Sequence, residues 1–288
     1  MNNLFGLIRI KELMNITKGS KDIKIGLIDG PVQAEHKNLV KSNITLINSD
    51  IKPKCLTNDS IACKHGTFIA GILCGNRDSE TPGICPQCPL IVRPVFPEET
   101  VAGKYTNSNF EELTKAVNDI INAGAKIINL SLGIAKANNY EFPALKAVLD
   151  FAYKKGVLVF AAAGNHGNIG VIPLISHPWI IPVTACDING IPYKKNNLGI
   201  TIGKRGIMAP GVDISSAIPE DKLSKMSGTS VAVPFVAGTA ALLWSLYPKA
   251  SAYDIHKAIL KPDYPRKSII PPLLDGMGSY ISLKQNNY

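Results

Sequence analysis

The segment that most constrains this chain is an almost uncharged stretch near its end, residues 228–247. It begins with glycine and small hydroxyl residues and continues as an apolar run, which predicts a helix buried inside a large domain. Pro234 is expected in the first turn, where its missing N–H costs nothing. Ser230 then lies at the helix N-terminus, where free N–H groups favour negative charge. Two interpretations stay open: Ser230 is a nucleophile whose reaction creates an oxyanion, or it only caps the helix.

Upstream of that segment, short strand-like runs alternate with helical patterns from residue 23 to residue 164. The first of these strands ends at Asp29, and α/β sheets carry functional groups at the C-terminal ends of parallel strands. The alternation predicts an α/β fold with a mostly parallel central sheet flanked by helices. We expect a single domain over residues 1–288, with residues 261–288 as a C-terminal extension that packs on it.

The charge distribution argues against two classes of partner. Lys and Arg exceed Asp and Glu by nine, but the excess is scattered, without the basic and aromatic interleaving of a nucleic-acid-binding face. The N-terminus lacks the pattern of a signal peptide. We expect no apolar run long enough to span a membrane, which needs roughly 18 residues. We therefore expect a soluble cytoplasmic protein with neither a nucleic-acid nor a membrane partner.

The cysteine pattern gives no metal or redox site. The chain has six cysteines, and in a reducing compartment these are expected to be mainly free thiols. Cys85 and Cys88 have C-x-x-C spacing but lack a second Cys/His pair or the helix that a redox motif opens, so a loop staple or two unpaired thiols is expected. Asp78 and Glu80 could bind a cation, but solvated carboxylates are favoured because calcium needs many oxygen ligands. We predict no metal and no cofactor.

Three side chains complement one another chemically. In acyl transfer with a serine nucleophile, Ser230 would attack, His65 would take its proton and return it to the leaving amine, and Asp29 would orient and stabilise the imidazolium. The tetrahedral intermediate also needs a donor for its oxyanion. Asn165, just beyond a strand that ends in glycine, is the candidate side-chain donor, together with the backbone N–H of Ser230.

Six short motifs, in this order along the chain, resemble those of the subtilisin-family serine peptidases. The resemblance implies a subtilisin-like three-layer fold, a serine endopeptidase activity and the roles just given. Two departures stand out, since Gly30 replaces a usual Ser or Thr and Val231 replaces a usual Met, but neither removes a catalytic atom. The motifs are residues 25–30 (IGLIDG), 65–67 (HGT), 131–133 (SLG), 161–165 (AAAGN), 208–211 (MAPG) and 228–234 (GTSVAVP).

A narrower resemblance concerns residues 29–32 with His36, and residues 83–96. These are similar to the subtilisin-like proteases of cyanobactin pathways, which implies a peptide substrate, cleaved from a ribosomally made precursor. Two alternatives stay open: a catalytically silent precursor-binding protein, and a transamidating macrocyclase. Macrocyclising relatives carry a helical insertion between the Asp and the His, whereas the interval here is only 36 residues. Hydrolysis is therefore the expected outcome; the oligomeric state stays open.

The same resemblance places the pocket for the residue before the cut bond. The loop after Asn165 would bring Val171 and Ile172 towards its floor and His166 to its rim. No Asp or Glu lies in these segments, and a buried cation without a counter-charge would cost several kcal/mol. The pocket is expected to prefer small to medium uncharged side chains, with Lys and Arg poor. Its walls would be Ser131, Leu132 and Gly133 on one side and Ala162, Ala163 and Gly164 on the other.

Overall fold

The structure is a computed structural model that describes residues 2–48, 51–52, 54–98, 110–131, 143–170, 174–260 and 266–286. The strands are β1 (Ile25–Asp29), β2 (Ile44–Leu46), β3 (Leu90–Pro94), β4 (Ile127–Leu130), β5 (Leu158–Ala162), β6 (Ile180–Cys186), β7 (Ile207–Pro210), β8 (Ile214–Ile218) and β9 (Lys222–Met226). The helices are α1 (Asn2–Leu7), α2 (Lys11–Ile16), α3 (Ile61–Cys74), α4 (Phe110–Asn122), α5 (Pro143–Lys155), α6 (Ile200–Arg205), α7 (Thr229–Leu246), α8 (Ala252–Leu260) and α9 (Gly276–Gln285).

Seven strands form one central sheet in the order β2-β3-β1-β4-β5-β6-β7, and every neighbouring pair in it is parallel. Apart from β2, each of these strands is buried along its whole length, as expected of a parallel sheet covered by helices on both faces. The predicted α/β fold with a mostly parallel sheet is confirmed. The antiparallel hairpin of β8 and β9 was not predicted, because the polar sequence of β9 lacks strand alternation.

The order of the strands reverses at β1, which lies between β3 and β4. After β1 the chain places β2 at the outer edge of the sheet, returns with β3 between β2 and β1, and then crosses to the other side of β1 to continue with β4. In open parallel sheets the carboxyl edge at such a reversal forms a crevice in which functional groups gather. Asp29 is the last residue of β1 and therefore lies at that edge.

Helix α7 crosses the middle of the molecule and contacts strands β4 to β7. It is buried from Val231 to Trp244, which confirms the predicted core helix. Its length and mean hydropathy of 1.6 would suffice to cross a membrane, contrary to the expectation from the sequence, but 83% of it is buried within the fold. That burial accounts for its apolar character, since a helix at the centre of a domain packs on all its faces.

The described part of the C-terminal region packs against the start of the chain. Helix α9 contacts α2, α7 and α8, and its Leu283 is fully buried. The backbone N–H of Gly276 donates to the carbonyl oxygen of Ile8 at 2.9 Å. Helix α2, near the start of the chain, and helix α9, near its end, therefore both pack against α7.

Candidate active site

Asp29, His65 and Ser230 come together at the carboxyl edge of the sheet. His65 Nδ1 lies 2.7 Å from Asp29 Oδ1, and His65 Nε2 lies 3.0 Å from Ser230 Oγ. Asp29 is completely buried, whereas the side chain of His65 is 15% exposed. The three side chains thus form one continuous chain of hydrogen bonds from a buried carboxylate to a hydroxyl group that solvent can reach.

Two glycines allow α3 to approach the end of β1 this closely. A Cβ on Gly66 would lie 2.4 Å from the carbonyl oxygen of Pro31, and one on Gly30 would lie 2.1 Å from that of Ala62. Both distances are impossible for real atoms, so only glycine fits at either position. A Ser or Thr side chain at position 30 would therefore have no room here, in keeping with the glycine found there.

The two carboxylate oxygens of Asp29 have different surroundings. Its Oδ1 accepts hydrogen bonds from His65 and from the backbone N–H of Gly30, the latter at 2.7 Å. Its Oδ2 is buried and has no hydrogen-bond partner among the residues that the structure describes. The carboxylate is therefore held through a single oxygen, and the negative charge is little shared with other donors.

The charge of Asp29 acts on the imidazole beside it. Burial favours the neutral ring, but the adjacent carboxylate and its hydrogen bond favour the imidazolium more strongly, and the net effect raises the pKa of His65. The arrangement stabilises a proton on His65 when it arrives from Ser230.

We expect kcat/KM to rise with pH, with the midpoint of its acidic limb above the ordinary histidine value of 6.5. The physical reason is that proton abstraction needs neutral His65, while the raised pKa keeps the ring charged to a higher pH. A pH profile measured with an uncharged peptide substrate checks this. A midpoint below 6.5 would show that desolvation outweighs the carboxylate.

Ser230 does not cap helix α7. The N-cap is Gly228, and Ser230 is the second residue of the helix, with its Oγ turned to His65. Pro234 lies beyond the first turn, contrary to our expectation. Since Pro234 has no N–H to donate to the carbonyl of Ser230, that oxygen is free to accept a hydrogen bond from Ser131 Oγ at 3.1 Å. The carbonyl oxygen of Ser230 therefore links the start of α7 to Ser131, the residue that follows β4.

Asn165 lies on the other side of Ser230. Its Oδ1 accepts from the backbone N–H of Thr229 at 2.8 Å. An ideal Cβ on Gly228 would lie 3.1 Å from Asn165 Nδ2 and 3.4 Å from Ser230 Oγ, so both groups border the same point of the backbone. With Oδ1 occupied by Thr229, the amide group of Asn165 keeps its N–H donors available beside the hydroxyl.

Replacing Asn165 by Ala should lower kcat about 10²–10³-fold with little change in KM, because the donor is needed only when the oxyanion forms. Steady-state kinetics on a peptide substrate measure this. Asn168→Ala, in the same exposed loop, is the matched control and should keep normal kcat. A rise in KM with unchanged kcat in Asn165→Ala would assign the side chain to substrate binding instead.

Sequence reasoning missed the side chain that holds this loop. Asn197 is buried, and its Oδ1 accepts from the backbone N–H groups of His166 and Asn168 at 3.0 and 3.1 Å. Gly164 has a positive φ of 98° and a Cβ there would lie 2.3 Å from Asn197 Nδ2, so the turn requires glycine. Nothing in the sequence around Asn197 marks it, because its partners lie about thirty residues away.

The predicted pocket walls lie partly in the described structure. Ser131 is buried and accepts from Asn129 Nδ2 at 2.7 Å. Ala162, Ala163 and Gly164 are buried at the end of β5. His166 is exposed, as are its neighbours in the loop. Leu132, Gly133, Val171 and Ile172 lie outside the described residues.

The cysteines correct one expectation. Cys74, Cys85, Cys88 and Cys186 are free and buried, which agrees with two unpaired thiols at the C-x-x-C motif. Cys55 and Cys63, however, form a disulfide. The sequence did not single out this pair because their separation of eight residues matches no recognised motif.

Asp78 and Glu80 are both exposed. Neither belongs to a cluster that could hold a metal ion among the residues that the structure describes.

Residues 20–271 match the subtilase family, Peptidase_S8. The chain belongs to the subtilase family. It is 33% identical over 238 residues to the thermophilic serine proteinase of Bacillus sp. strain AK1, a match that covers 80% of this chain and 54% of that protein. It is 29% identical over 244 residues to subtilisin DY of Bacillus licheniformis, covering 83% and 82% of the two chains. The chain therefore carries a serine endopeptidase domain of subtilisin type, and it spans about half the length of the first of these relatives.

Solved structures give the same family and a narrower set of neighbours. The protease domain of PatA, solved as a variant, superposes with a TM-score of 0.84 at 29% identity, covering 93% of this subtilase and 98% of that chain. The prenylagaramide maturation protease PagA superposes with a TM-score of 0.82 at 29% identity, covering 95% and 98%. The resemblance to cyanobactin maturation proteases noted in the sequence therefore extends to the three-dimensional structure.

Proposed function

We propose that this subtilase hydrolyses peptide bonds through an acyl-enzyme, with Ser230 as nucleophile, His65 as general base and acid, and Asp29 as the group that orients His65. The single observation that carries the proposal is the pair of distances, 2.7 Å from Asp29 to His65 and 3.0 Å from His65 to Ser230. Both are within the reach that proton transfer needs.

The geometry supports each step of that mechanism. His65 Nε2 accepts the proton of Ser230 Oγ as this oxygen attacks the carbonyl carbon, and Asp29 keeps the proton of Nδ1 in place. Asn165 and the start of helix α7 supply N–H donors to the oxyanion. His65 then donates its proton to the departing amine. Water attacks the acyl-enzyme in the second half of the reaction, and Ser230 regains its proton.

We further propose that the substrate is a ribosomally made precursor peptide. Two proteases that are 28–29% identical to this chain support this, since PagA is a prenylagaramide maturation protease and PatA a patellamide maturation protease. The PatG macrocyclase domain also superposes, with a TM-score of 0.79, but at 21% identity this likeness concerns the fold alone. Hydrolysis is the expected outcome because only 36 residues separate Asp29 from His65.

Incubation with a precursor peptide, followed by mass spectrometry of the products, distinguishes the three candidate functions. Hydrolysis gives linear fragments in which one atom of oxygen from labelled water is incorporated at the new carboxyl end. A cyclic main product, smaller than the linear fragment by one water, would overturn the proposal in favour of transamidation. Tight binding of the peptide without any new product would favour a catalytically silent binding protein.

The side chain before the cut bond should be small to medium and uncharged. The described walls at Ala162, Ala163 and Gly164 are buried and carry no charge, so a Lys there would lose its hydration without gaining a counter-charge. We expect kcat/KM for Ala or Leu to exceed that for Lys by at least about tenfold, since several kcal/mol are at stake. Matched substrates with Ala, Leu, Glu and Lys at that position measure this; a Lys substrate that performs best would refute the assignment of the pocket.

We also propose a cytoplasmic location, which the four free, buried cysteines support because thiols persist in a reducing compartment. The Cys55–Cys63 disulfide argues in the opposite direction, because cytosolic disulfides are rare and mostly transient. Cell fractionation of the natural host, with antibody detection of the protein, tests the location directly.

A further inference from the structure

A disulfide and a carboxylate lie together at the start of the helix that carries His65, with Cys63 in its first turn. Cys55 and Cys63 are joined, with their Cα atoms 5.6 Å apart, and Glu98 follows strand β3. The two sulfurs and a carboxylate oxygen of Glu98 all lie within 4.8 Å of one another. Cys63 is buried, whereas Cys55 and Glu98 are half-buried, so small reagents can reach the cluster from one side.

The carboxylate is fixed in place by the segment that carries Cys55. Glu98 Oε2 accepts from the backbone N–H of Leu56 at 2.7 Å, and Oε1 accepts from that of Thr57 at 3.2 Å. Thr67 Oγ1 lies 3.9 Å from each of the two sulfurs. Partners of this kind orient the ligands of protein metal sites and are as important as the ligands themselves.

The charge around the cluster favours a cation. The lysines directly beside the two cysteines are each paired with another carboxylate: Lys54 with Glu35 at 3.7 Å and Lys64 with Asp59 at 3.0 Å. Opening the disulfide would therefore place two sulfur ligands next to the negative charge of Glu98, with these two ammonium groups engaged elsewhere. A divalent cation would compensate two of the three negative charges that the two thiolates and the carboxylate carry together.

We propose that Cys55, Cys63 and Glu98 form a zinc-binding site that becomes available when a thiol reductant opens the disulfide. Two thiol groups of the reductant each supply one electron and one proton to the sulfurs and become joined in a disulfide themselves. Zn²⁺ then displaces the two thiol protons and binds both sulfurs and one oxygen of Glu98. The disulfide and the zinc site exclude each other, because the sulfurs cannot bond to one another and to the metal at once.

The donor set and spacing suit zinc. Thiolate and carboxylate are both zinc ligands, at about 2.3 Å and about 2.0–2.2 Å, and a tetrahedral site with these bonds separates its donors by about 3.5–3.8 Å. The carboxylate oxygen lies within 4.8 Å of both sulfurs, so a small movement of the side chain brings it to this spacing. Only the two sulfurs need to move apart once their bond is broken. The proposal holds independently of which peptide the enzyme cleaves.

Zinc binding to the oxidised and the reduced protein tests the proposal. The chain is reduced with dithiothreitol, freed of it without oxygen, and titrated with Zn²⁺ against a chromophoric chelator. We expect one zinc per reduced chain and none per oxidised chain. Glu98→Gln should weaken binding by about tenfold or more, and Cys55→Ser should abolish it. Cys186→Ser, which removes a buried free thiol elsewhere, should leave binding unchanged.

Cadmium provides a second measurement that does not depend on a zinc affinity. Cd²⁺ added to the reduced protein should give a thiolate-to-metal absorption band that Cys55→Ser lacks, with circular dichroism showing that the chain is folded. Absence of zinc binding by the folded, reduced protein would overturn the proposal. So would binding that survives Cys55→Ser but is lost in Cys85→Ser, since the metal would then belong to the C-x-x-C motif.

Discussion

Replacing Ser230 by Ala should lower kcat by about 10⁶-fold, the loss that serine-protease triads show when the nucleophile is removed. Ser230 Oγ is the atom that His65 Nε2 contacts at 3.0 Å, and Ala leaves no atom to form the acyl-enzyme. The fold should be unaffected, because the half-buried hydroxyl makes no capping bond and its loss changes unfolding free energy by less than about 1 kcal/mol.

Two measurements check this prediction. Turnover of a chromogenic peptide gives kcat, and a fluorophosphonate probe should label the wild type but not Ser230→Ala. Ser245→Ala is the matched control in the same helix, since its Oγ donates to the carbonyl oxygen of Ala241 and otherwise contacts Cys88 Sγ at 3.9 Å, with no contact to His65 or Asn165 in the described structure. Labelling of Ser230→Ala at the wild-type rate would show that another residue is the nucleophile.

Asp29→Asn should lower kcat by about 10⁴-fold while leaving the shape of the site intact. Asp29 Oδ1 accepts from both His65 and the backbone N–H of Gly30. If the carbonyl oxygen of Asn faces His65 and the N–H of Gly30, the neutral amide group still lacks the negative charge that stabilises the imidazolium. If the amide faces His65, it donates to Nδ1 and fixes the tautomer in which Nε2 can no longer accept the proton of Ser230.

A pH profile separates this effect from a structural one. Without the carboxylate, the acidic limb of the residual activity should move down from its wild-type position, because Asp29 is what raises the pKa of His65. The chain offers a matched control in Asp150→Asn, which alters another carboxylate–histidine pair, with His177 at 3.1 Å. An unchanged limb in the residual activity of Asp29→Asn, at the same loss of kcat, would show that Asp29 does not act through its negative charge.

Local sequence was sufficient for the architecture and for the choice of reacting groups. The alternation of apolar strands and helices predicts the parallel sheet, because a strand covered on both faces has to be hydrophobic throughout. The small residues and apolar run from Thr229 to Leu246 predict the central helix for the same reason. The short motifs around Asp29, His65 and Ser230 contain their own turn and helix signals, so their placement at element ends can be read along the chain.

Only the tertiary structure decided how these groups meet. Asp29 and His65 are 36 residues apart and His65 and Ser230 are 165 apart, so their distances of 2.7 and 3.0 Å depend on how the sheet and two helices pack. The atomic contacts that make Gly30 and Gly66 obligatory arise between separate segments of the chain. Pro234 frees an acceptor for Ser131 only because β4 ends beside α7.

The contacts that the sequence did not predict also arise from packing between distant segments. Asn197 fixes the loop behind Asn165 through backbone groups about thirty residues away, and a single Asn in a polar loop gives no sign of such partners. The Cys55–Cys63 disulfide and its neighbour Glu98 likewise depend on how the segment after β3 lies against α3. The sequence determined which elements form and which side chains can react, because these follow from local periodicity and residue chemistry. The tertiary structure alone determined which distant side chains touch, because those contacts result from packing between elements.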